Sequence, residues 1–473
     1  MIILDNDSNI PLYVQIYDQL KKEITSGQLP ENSKLMSTRN LAMTLGVSRN
    51  TVENAYLQLC SEGYISSKVG SGFIVEKLDN TIISKLKRQD YENIKKHENK
   101  TCKINLNDNY KYNFQYGNLS SSDFSLRLWK NISSKCLSSL TAEEMMSYTS
   151  HKGELELRIE IAKYLNKSRG VSCNTEQIVL SSGIGHSLSL LCQLFKNDFK
   201  QIALEDPGYN GARNVFSNNG YNIVPISLEK DGISIRELED SSAKIVYVTP
   251  SHQFPTGSVM PISKRLKLLD WAIRKNGIII EDDYDSELRY NSRPIPSIQG
   301  IDSKEYVAYI GTFSKSLAPS MRVSYIILPQ SWVERYDKLF SKYHACVPLL
   351  HQKIIQQFMY LGYWEKHLRK ICISNKRRHD TLIHTIHELM GDNVIIHGKN
   401  AGLHILLEFN NGLHENELIE KAKYYGVIVY PVSTFWIKLD DYNNNMVLLG
   451  FGGMTEIEII EGVKLLAKAW LFS

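Results

Sequence analysis

Five short apolar runs, each followed directly by polar or glycine-rich residues, constrain the fold of this chain more than any other feature. The runs are 177–181 before 182–186, 202–205 before 206–209, 245–249 before 250–257, 278–281 before 282–284, and 307–311 before 312–315. Short apolar runs that alternate with amphipathic helical stretches are typical of the buried parallel strands of α/β folds. Ligands of open α/β sheets bind outside the carboxyl ends of the strands. The sequence therefore predicts an α/β domain whose ligand site is built from five strand ends.

Length and composition narrow the class of protein. A chain of 473 residues with 42% hydrophobic residues can form two or three folding units with ordinary cores. It has no apolar run of about 18 residues and no basic start before an apolar stretch, so we expect neither a membrane span nor a signal peptide. The seven cysteines are scattered and form no CxxC pair, which favours reduced thiols in the cytoplasm over disulfides or a zinc site.

The chain changes character twice. Residues 1–76 combine helical periodicity with a glycine-punctuated hairpin, and we interpret them as a separate domain. Residues 77–110 are polar and lysine-rich, with too few large apolar groups to offset the entropy of ordering, which predicts a linker. Residues 111–473 carry the α/β pattern. The formal net charge of +4 is too small to indicate nucleic-acid binding, so any DNA-binding feature must be local.

The first domain has the pattern of a helix-turn-helix. An apolar residue recurs every four positions along the first helix, at Leu12, Ile16, Leu20 and Ile24. Ser37 and Ser48 are placed to cap the next two helices, and Gly46 allows a tight turn between them. Two helices joined by such a turn form a helix-turn-helix, whose second helix enters the major groove with its N-terminus.

That N-terminus carries Arg49, Asn50 and Thr51, which we predict to contact DNA. Helix N-termini also favour phosphate through their backbone N–H groups. A hairpin follows, with strands at 64–67 and 72–75. We interpret it as a wing on which Lys68 and the backbone of Gly70 approach phosphates. The alternative, that the helix-turn-helix shape serves protein contact only, explains an ordered set of such residues less well.

Three stretches carry a resemblance to a known family. They are LYVQIYDQLKKEITSGQL, STRNLAMTLGVSRNTVENAYLQLCSEGYI and GSGFIV. This unit resembles the winged helix of the GntR regulators, and the resemblance implies that Arg39, Ser48, Arg49 and Thr51 face double-stranded DNA. Met36 departs from the family, which usually has proline before the serine. Without the proline, the backbone before the helix is less rigid, but no contact with DNA is lost.

The strand ends of the large domain offer the groups that a phosphorylated pyridine aldehyde needs. For the phosphate there are N–H groups at a helix start, a hydroxyl and a guanidinium, supplied by Ser182, Gly183, Ile184, Gly185, Ser314 and Arg322. For the ring there are a carboxylate, a stacking ring and a phenol, supplied by Asp282, Tyr209 and Tyr284. For the aldehyde there is Lys315, whose amine a cationic, partly desolvated pocket would activate for a Schiff base. The chemistry therefore indicates pyridoxal phosphate as cofactor.

Each of these residues alone has a simpler interpretation than a cofactor site, but those interpretations explain the whole set less well. Lys315 alone would be a solvated charge, and Tyr209 alone could be a core tyrosine. The adjacent Asp282 and Asp283 could suggest a metal, but no histidine or third carboxylate is spaced to complete a cage, so we expect no metal site.

The large domain adds a second resemblance. The stretches EDPGYNGAR, TPSHQFPTG, EDDYDSELRY and GTFSKSLAPSMRVSY, with YTSHKGELELRIEIAKYL, resemble the MocR-type branch of the GntR regulators. That branch fuses the winged helix to a fold-type I aminotransferase domain with a mainly parallel sheet and a smaller C-terminal α+β subdomain. The resemblance implies Lys315 as Schiff-base lysine, Asp282 as partner of the pyridinium, Tyr209 as stacking ring and Arg322 as phosphate ligand. It also implies a head-to-tail homodimer.

Two departures argue against an active enzyme. Phe254 stands where aminotransferases of this fold usually have an asparagine that bonds the cofactor ring oxygen. Residues 379–473 contain no arginine that could bind the carboxylate of an amino acid. Three possibilities stay open for the small-molecule effector: Lys438 or another cation replaces the arginine, Arg213 or another arginine of the large domain serves, or the signal is pyridoxal phosphate itself.

We therefore expect a regulator with little or no turnover, which binds an operator and senses a small amine, an amino acid or the cofactor. An aminotransferase with an appended DNA-binding domain is the enzyme alternative. A large domain that acts as a cofactor-free dimerisation scaffold is the third.

Overall fold

The computed structural model describes residues 2–68, 72–78, 110–290, 295–410 and 412–471. The chain divides into two compact units, 1–108 and 109–473. Gly70 and residues 79–109, most of the predicted linker, lie outside the described residues, so the predictions made for them stay predictions. No helix among the described residues is long and apolar enough to cross a membrane.

The first unit has three helices and a hairpin. The elements are α1 (Leu12–Thr25), α2 (Thr38–Leu45), α3 (Arg49–Ser61), β1 (Ile65–Lys68) and β2 (Gly72–Val75). Ser37 Oγ accepts a hydrogen bond from the N–H of Asn40, and Ser48 Oγ accepts one from the N–H of Thr51, each at 3.2 Å. Gly46 ends α2 in the left-handed region with φ 65°. Both predicted caps and the predicted turn are confirmed.

The core of this unit lies between α1 and α3. Ile16, Leu20 and Ile24 of α1 are buried, and they form one cluster with Val52 and Leu59 of α3. The strands of the hairpin are antiparallel, with Ile65 opposite Val75. The apolar spacing along α1 thus buries one face of the helix, as the sequence predicts.

The second unit contains an eight-stranded sheet. Its strands are β4 (Ile178–Ser181), β5 (Gln201–Asp206), β6 (Asn222–Glu229), β7 (Gly232–Ile233), β8 (Ile245–Val248), β9 (Ile278–Asp283), β10 (Val307–Thr312) and β11 (Ser324–Ile327). The order is β4-β11-β10-β9-β8-β5-β6-β7. Neighbours from β10 to β6 are parallel, whereas β11 is antiparallel to both β10 and β4, and β7 is antiparallel to β6. The five predicted strands therefore lie in one mainly parallel sheet.

Helices cover both faces of this sheet. The helices of the second unit are α4 (Leu126–Ser139), α5 (Ala142–Met146), α6 (Leu155–Arg169), α7 (Ile184–Phe195), α8 (Asn210–Asn218), α9 (Ile235–Asp240), α10 (Ile262–Lys275), α11 (Ile298–Ile301), α12 (Gln330–Phe340), α13 (Leu349–Tyr360), α14 (Tyr363–Met390), α15 (Glu415–Tyr424) and α16 (Glu456–Leu471). Alternate residues of one strand face opposite ways. In β5, Leu204 packs with Leu191 of α7 on one face, whereas Ala203 packs with Leu268 of α10 on the other. This double burial explains why the strands are almost continuously apolar.

A smaller C-terminal sheet completes the unit. Its strands are β12 (Val394–His397), β13 (His404–Phe409), β15 (Tyr430–Pro431) and β16 (Met446–Gly450), in the order β12-β13-β16-β15 and all antiparallel. A separate parallel pair joins β14 (Val427–Ile428) to β3 (Tyr112–Asn113). The helices α14, α15 and α16 share a core with this sheet. The predicted smaller α+β subdomain is confirmed.

Candidate functional site

A cavity of about 280 Å³ opens at the carboxyl edge of the large sheet. Its lining residues are Tyr116, Ile184, Tyr209, Tyr247, Thr249, Phe254, Asp282, Tyr284, Thr312, Ser314, Lys315, Pro319 and Arg322. Seven of the ten residues predicted to hold the cofactor are among them, and Ser182, Gly183 and Gly185 flank the lining residue Ile184. The strand ends thus meet at one place, as parallel strands require.

Lys315 follows the end of β10 by three residues, which brings its side chain into the cavity. Burial, opposed by Asp285 and Asp282 and reinforced by the nearby Arg322, lowers the pKa of its amine to about 8. The Nζ atom lies 3.9 Å from the centre of the Tyr116 ring. A lowered pKa makes the neutral, nucleophilic amine more accessible near neutral pH.

Asp282 and Asp283 occupy adjacent positions in β9 and face opposite sides of the sheet. Asp282 lines the cavity, and the Tyr247 hydroxyl donates a hydrogen bond to its Oδ2 at 2.5 Å. Burial raises the pKa of Asp282 to about 7. Asp283 lies outside the set of lining residues, and its Oδ2 is paired with Arg169 Nε at 2.7 Å. In the part of the chain that the structure describes, no three histidine, cysteine or carboxylate side chains cluster as metal ligands would.

The predicted phosphate end combines a helix start, a guanidinium and a hydroxyl. Helix α7 begins at Ile184, and the first N–H groups of a helix have no partner within it. A Cβ atom on Gly183 would lie 2.3 Å from Arg322 Nη2, so the guanidinium approaches this backbone closely. Ser314 Oγ is buried and has no hydrogen-bond partner in the structure. These three groups converge as an anion site requires.

Aromatic rings form the rest of the lining. Tyr209, at the N-cap of α8, lies edge-on to Phe254 with ring centres 5.8 Å apart. Tyr284 also lines the cavity, but its hydroxyl donates to the carbonyl oxygen of His252 at 2.8 Å. Its predicted bond to the cofactor ring would require this hydroxyl to turn or to accept a second bond.

The sequence analysis missed several lining residues, most notably Tyr116 and Tyr247. Tyr116 precedes the five strand ends in the chain, so that pattern could not reveal it. A Cβ atom on the next residue, Gly117, would lie 3.0 Å from Lys315 Nζ, and this contact ties the segment to the lysine. Tyr247 lies inside β8, and a hydroxylated ring within an otherwise aliphatic run was the available signal.

The two proposed substitutes for a carboxylate-binding arginine have other partners. Arg213 donates from Nη1 to the carbonyl oxygen of Trp436 at 2.9 Å and from Nη2 to that of Thr434 at 2.8 Å. Lys438 Nζ lies 3.9 Å from Glu237 Oε2. Neither residue lines the cavity.

In the first unit, the described residues that are predicted to face DNA lie in α2, at the start of α3 and in β1. Arg39, Ser48, Arg49, Asn50 and Lys68 are exposed, and Thr51 is half-buried. The Ser48 and Thr51 hydroxyl oxygens lie 2.7 Å apart. Arg49 Nη2 forms an ion pair with Glu53 Oε1 at 2.8 Å, one turn further along the helix.

Two family models match the chain. Residues 12–75 match the bacterial regulatory proteins of the gntR family, and residues 115–444 match aminotransferase class I and II. The kynurenine aminotransferase of Pyrococcus horikoshii superposes with a TM-score of 0.70 at 26% identity, covering 82% of this chain and 95% of that one. The multiple substrate aminotransferase of Thermococcus profundus gives 0.69 at 27% identity, covering 76% and 90%.

Curated relatives extend over both units. The HTH-type transcriptional regulator YdeL of Bacillus subtilis is 39% identical over 99% of this chain and 98% of its own length. The probable rhizopine catabolism regulatory protein MocR of Rhizobium meliloti is 30% identical over 100% and 96%. The pyridoxine biosynthesis regulator PdxR of Corynebacterium glutamicum is 27% identical over 93% and 92%. The chain therefore belongs to the MocR-type branch of the GntR family of transcriptional regulators, in which a GntR helix-turn-helix precedes an aminotransferase-like domain.

Proposed function

We propose that this protein is a pyridoxal-phosphate-dependent transcriptional regulator, which binds an operator through its first unit and a small effector through its second. The observation that carries the proposal is the meeting of Lys315, Asp282, Arg322 and Ser314 in one cavity. A chain that served only as a dimerisation scaffold would not need buried Ser314 Oγ without a partner, or an amine whose pKa is lowered to about 8.

The residues of the cavity fit the cofactor group by group. Pyridoxal phosphate supplies an aldehyde that condenses with a primary amine, and Lys315 is the amine in this cavity. Arg322, Ser314 and the backbone at 182–185 would bind the phosphate. Asp282 would hold a proton between its carboxylate and the ring nitrogen, and Tyr209 would pack against the ring.

DNA binding would use the exposed start of α3 and the wing. Arg49 and Asn50 lie where a recognition helix enters the major groove, and Arg39 and Lys68 add positive charge on either side in the sequence. We propose that Ser48, Thr51 and Gly70 contribute hydroxyl or backbone contacts to phosphates.

We infer that the protein performs little or no amino-group transfer. Phe254 is 4% exposed and offers no hydrogen bond to a cofactor ring oxygen. The curated relatives YdeL and MocR, which span the whole chain, have regulator names, whereas the aminotransferase family model matches residues 115–444, within the second unit.

We also propose a head-to-tail homodimer in the cytoplasm. Large apolar side chains between residues 145 and 155 are exposed, at Met145, Met146, Tyr148 and Leu155. An apolar patch of this kind marks an interface more often than a free surface. Light scattering should therefore give twice the chain mass.

The decisive experiment measures DNA binding and amino-group transfer on one preparation. The protein loaded with pyridoxal phosphate should raise the anisotropy of a labelled duplex, and its affinity should fall steeply with salt. The same sample, given amino acids and 2-oxoglutarate, should produce less than one product per chain over hours. Sustained turnover would select the alternative, an aminotransferase with an appended DNA-binding domain.

A further inference from the structure

The cavity has two parts with different chemistry. Lys315, Arg322, Ser314 and Asp282 form its polar part, and the cofactor would occupy it. Four further lining residues, Tyr116, Tyr209, Phe254 and Tyr284, form a surface that we call the aromatic wall. An effector that meets the cofactor must lie against this wall.

The aromatic wall is continuous and centred on Phe254. The centre of the Phe254 ring lies 5.2 Å from that of Tyr116, 5.8 Å from that of Tyr209 and 6.3 Å from that of Tyr284. These spacings are the ones at which aromatic rings attract each other. The wall is therefore a preformed surface for an aromatic or aliphatic group.

Apolar side chains also support the wall from behind. The Phe435 ring meets the Phe254 ring edge-on at 4.9 Å, and both belong to a cluster with Leu406, Val432 and Leu448. A carboxylate pressed against this wall would find no cation there, only the neutral phenol groups of three tyrosines, so the loss of its water would be poorly compensated.

Cations that could bind a carboxylate are already engaged. Of the described residues that line the cavity, Lys315 and Arg322 are the only lysine or arginine, and the cofactor would use both. Arg213 binds the carbonyl oxygens of Thr434 and Trp436, and Lys438 lies beside Glu237. Two of the three possibilities left open by the sequence, Lys438 and Arg213, therefore lose their support.

We propose that the effector is a compact primary amine that carries an aromatic or aliphatic body and no carboxylate. This inference rests on the proposed function and names the ligand class of the same site. The exchange conserves all atoms: the effector nitrogen bonds the carbon that Lys315 held, and the bond from that carbon to Lys315 breaks. The two N–H hydrogens of the neutral incoming amine would pass to the Lys315 nitrogen, which would become a primary amine again, and no oxidant or reductant would take part.

The test titrates the cofactor-loaded protein with 2-phenylethylamine, phenylalanine, 4-aminobutyrate and methylamine. The readouts are the absorbance of the bound cofactor and the anisotropy of a labelled duplex. Phenylethylamine should reach half-saturation at a concentration at least tenfold below those of phenylalanine and 4-aminobutyrate, because both of these bring a carboxylate to the wall. It should also shift the affinity for the duplex.

Two variants separate contact with the wall from a general defect. Phe254→Leu keeps an apolar side chain but removes the ring, so phenylethylamine should bind roughly threefold to tenfold more weakly, as the loss of an aromatic pair predicts. Methylamine has no body to contact the wall, and its half-saturation should not change. Tyr343→Leu replaces an exposed ring outside the cavity and should leave both values unchanged.

The outcomes distinguish this inference from the proposed function. If the cofactor loads on Lys315 but phenylalanine or 4-aminobutyrate binds as tightly as phenylethylamine, the ligand class is wrong and the proposed function stands. If the cofactor loads and none of the four compounds changes either readout, the ligand class is again wrong, and pyridoxal phosphate itself becomes the signal. If the cofactor does not load at all, both proposals fail.

Discussion

Asp282 and Asp283 are neighbours whose environments drive their pKa values in opposite directions. Burial raises the pKa of Asp282 to about 7; the hydrogen bond from Tyr247 opposes this, and the smaller effects of Asp283 and Asp285 add to it. Burial would also raise the pKa of Asp283, but the Arg169 guanidinium and the Tyr309 hydroxyl outweigh it, and this pKa is lowered. One carboxyl therefore retains its proton near neutrality until a cationic partner arrives, whereas the other is already paired.

Substitution of Asp282 should reveal this difference as a pH dependence of stability. The unfolded chain loses the Asp282 proton near 3.8, and the folded chain loses it near 7, so this carboxyl disfavours folding increasingly between pH 4 and 7 and by a constant amount above. In the cofactor-free protein, Asp282→Asn should therefore raise the free energy of unfolding more at pH 8 than at pH 5. The difference is at most about 3 kcal/mol, at about 1.4 kcal/mol per pH unit.

Denaturant unfolding at the two pH values measures this effect. Asp440→Asn, at an exposed carboxyl, is the control and should change stability equally at both. An equal effect of Asp282→Asn at pH 5 and pH 8 would show that Asp282 is ionised in the folded chain without its partner.

Two glycines at the start of α7, Gly183 at its N-cap and Gly185 in its first turn, make a matched pair. Gly183 has φ 86°, and a Cβ atom there would lie 2.3 Å from Arg322 Nη2, whereas a Cβ atom on Gly185 meets nothing within 4 Å. Gly183→Ala should displace the guanidinium and weaken the binding of pyridoxal phosphate about tenfold or more, and Gly185→Ala should change it less than about twofold. Absorbance titration gives both constants, and equal losses in the two variants would exclude the Arg322 contact as the cause.

At the scale of elements, the strand ends that line the cavity could be predicted from the sequence, whereas the lining residues from other parts of the chain could not. Short, almost continuously apolar runs, each followed by polar or glycine-rich residues, revealed β4, β5, β8, β9 and β10. The position of β11 between β4 and β10 depends on long-range pairing, which local sequence does not encode. Tyr116 reaches the cavity from the start of the second unit for the same reason, so sequence periodicity gave no indication of it.

Helix α3 shows what local sequence does encode. Ser48 was predicted as its cap, and the hydroxyl accepts from the N–H of Thr51 because that helix-starting group has no partner inside the helix. The ion pair between Arg49 and Glu53 also follows from their spacing of four residues, although the sequence analysis did not use it. Neither feature identifies the bases that the helix reads.

The Arg49 side chain gives a prediction for this helix. Arg49→Ala should weaken binding to a mixed-sequence duplex and reduce the slope of log affinity against log salt by about 1, the value for one phosphate contact. Lys22→Ala removes the same charge from the last turn of α1 and should leave the slope unchanged. Anisotropy over a salt series measures both slopes, and equal slopes in Arg49→Ala and the unaltered protein would remove Arg49 from the phosphate contacts.

At the scale of the whole molecule, two units with separate cores serve two kinds of ligand. The helix-turn-helix core contains only residues of the first unit, and the cavity is lined only by residues of the second. An effector can change DNA binding only if it binds two arrangements of the protein with different affinity. The aromatic wall is the part of the second unit where that difference would arise, since the cofactor would occupy the polar part under the proposed function.

The account depends most directly on a covalent bond between pyridoxal phosphate and Lys315. The measurement is borohydride reduction of the loaded protein, followed by protease digestion and mass spectrometry of the lysine peptides. We predict a phosphopyridoxyl group on Lys315, none in Lys315→Ala, and an unchanged yield in Lys304→Ala, which alters an exposed lysine near the same strand. A reduced protein without the group, or with the group on another lysine at the same yield in Lys315→Ala, would contradict the account.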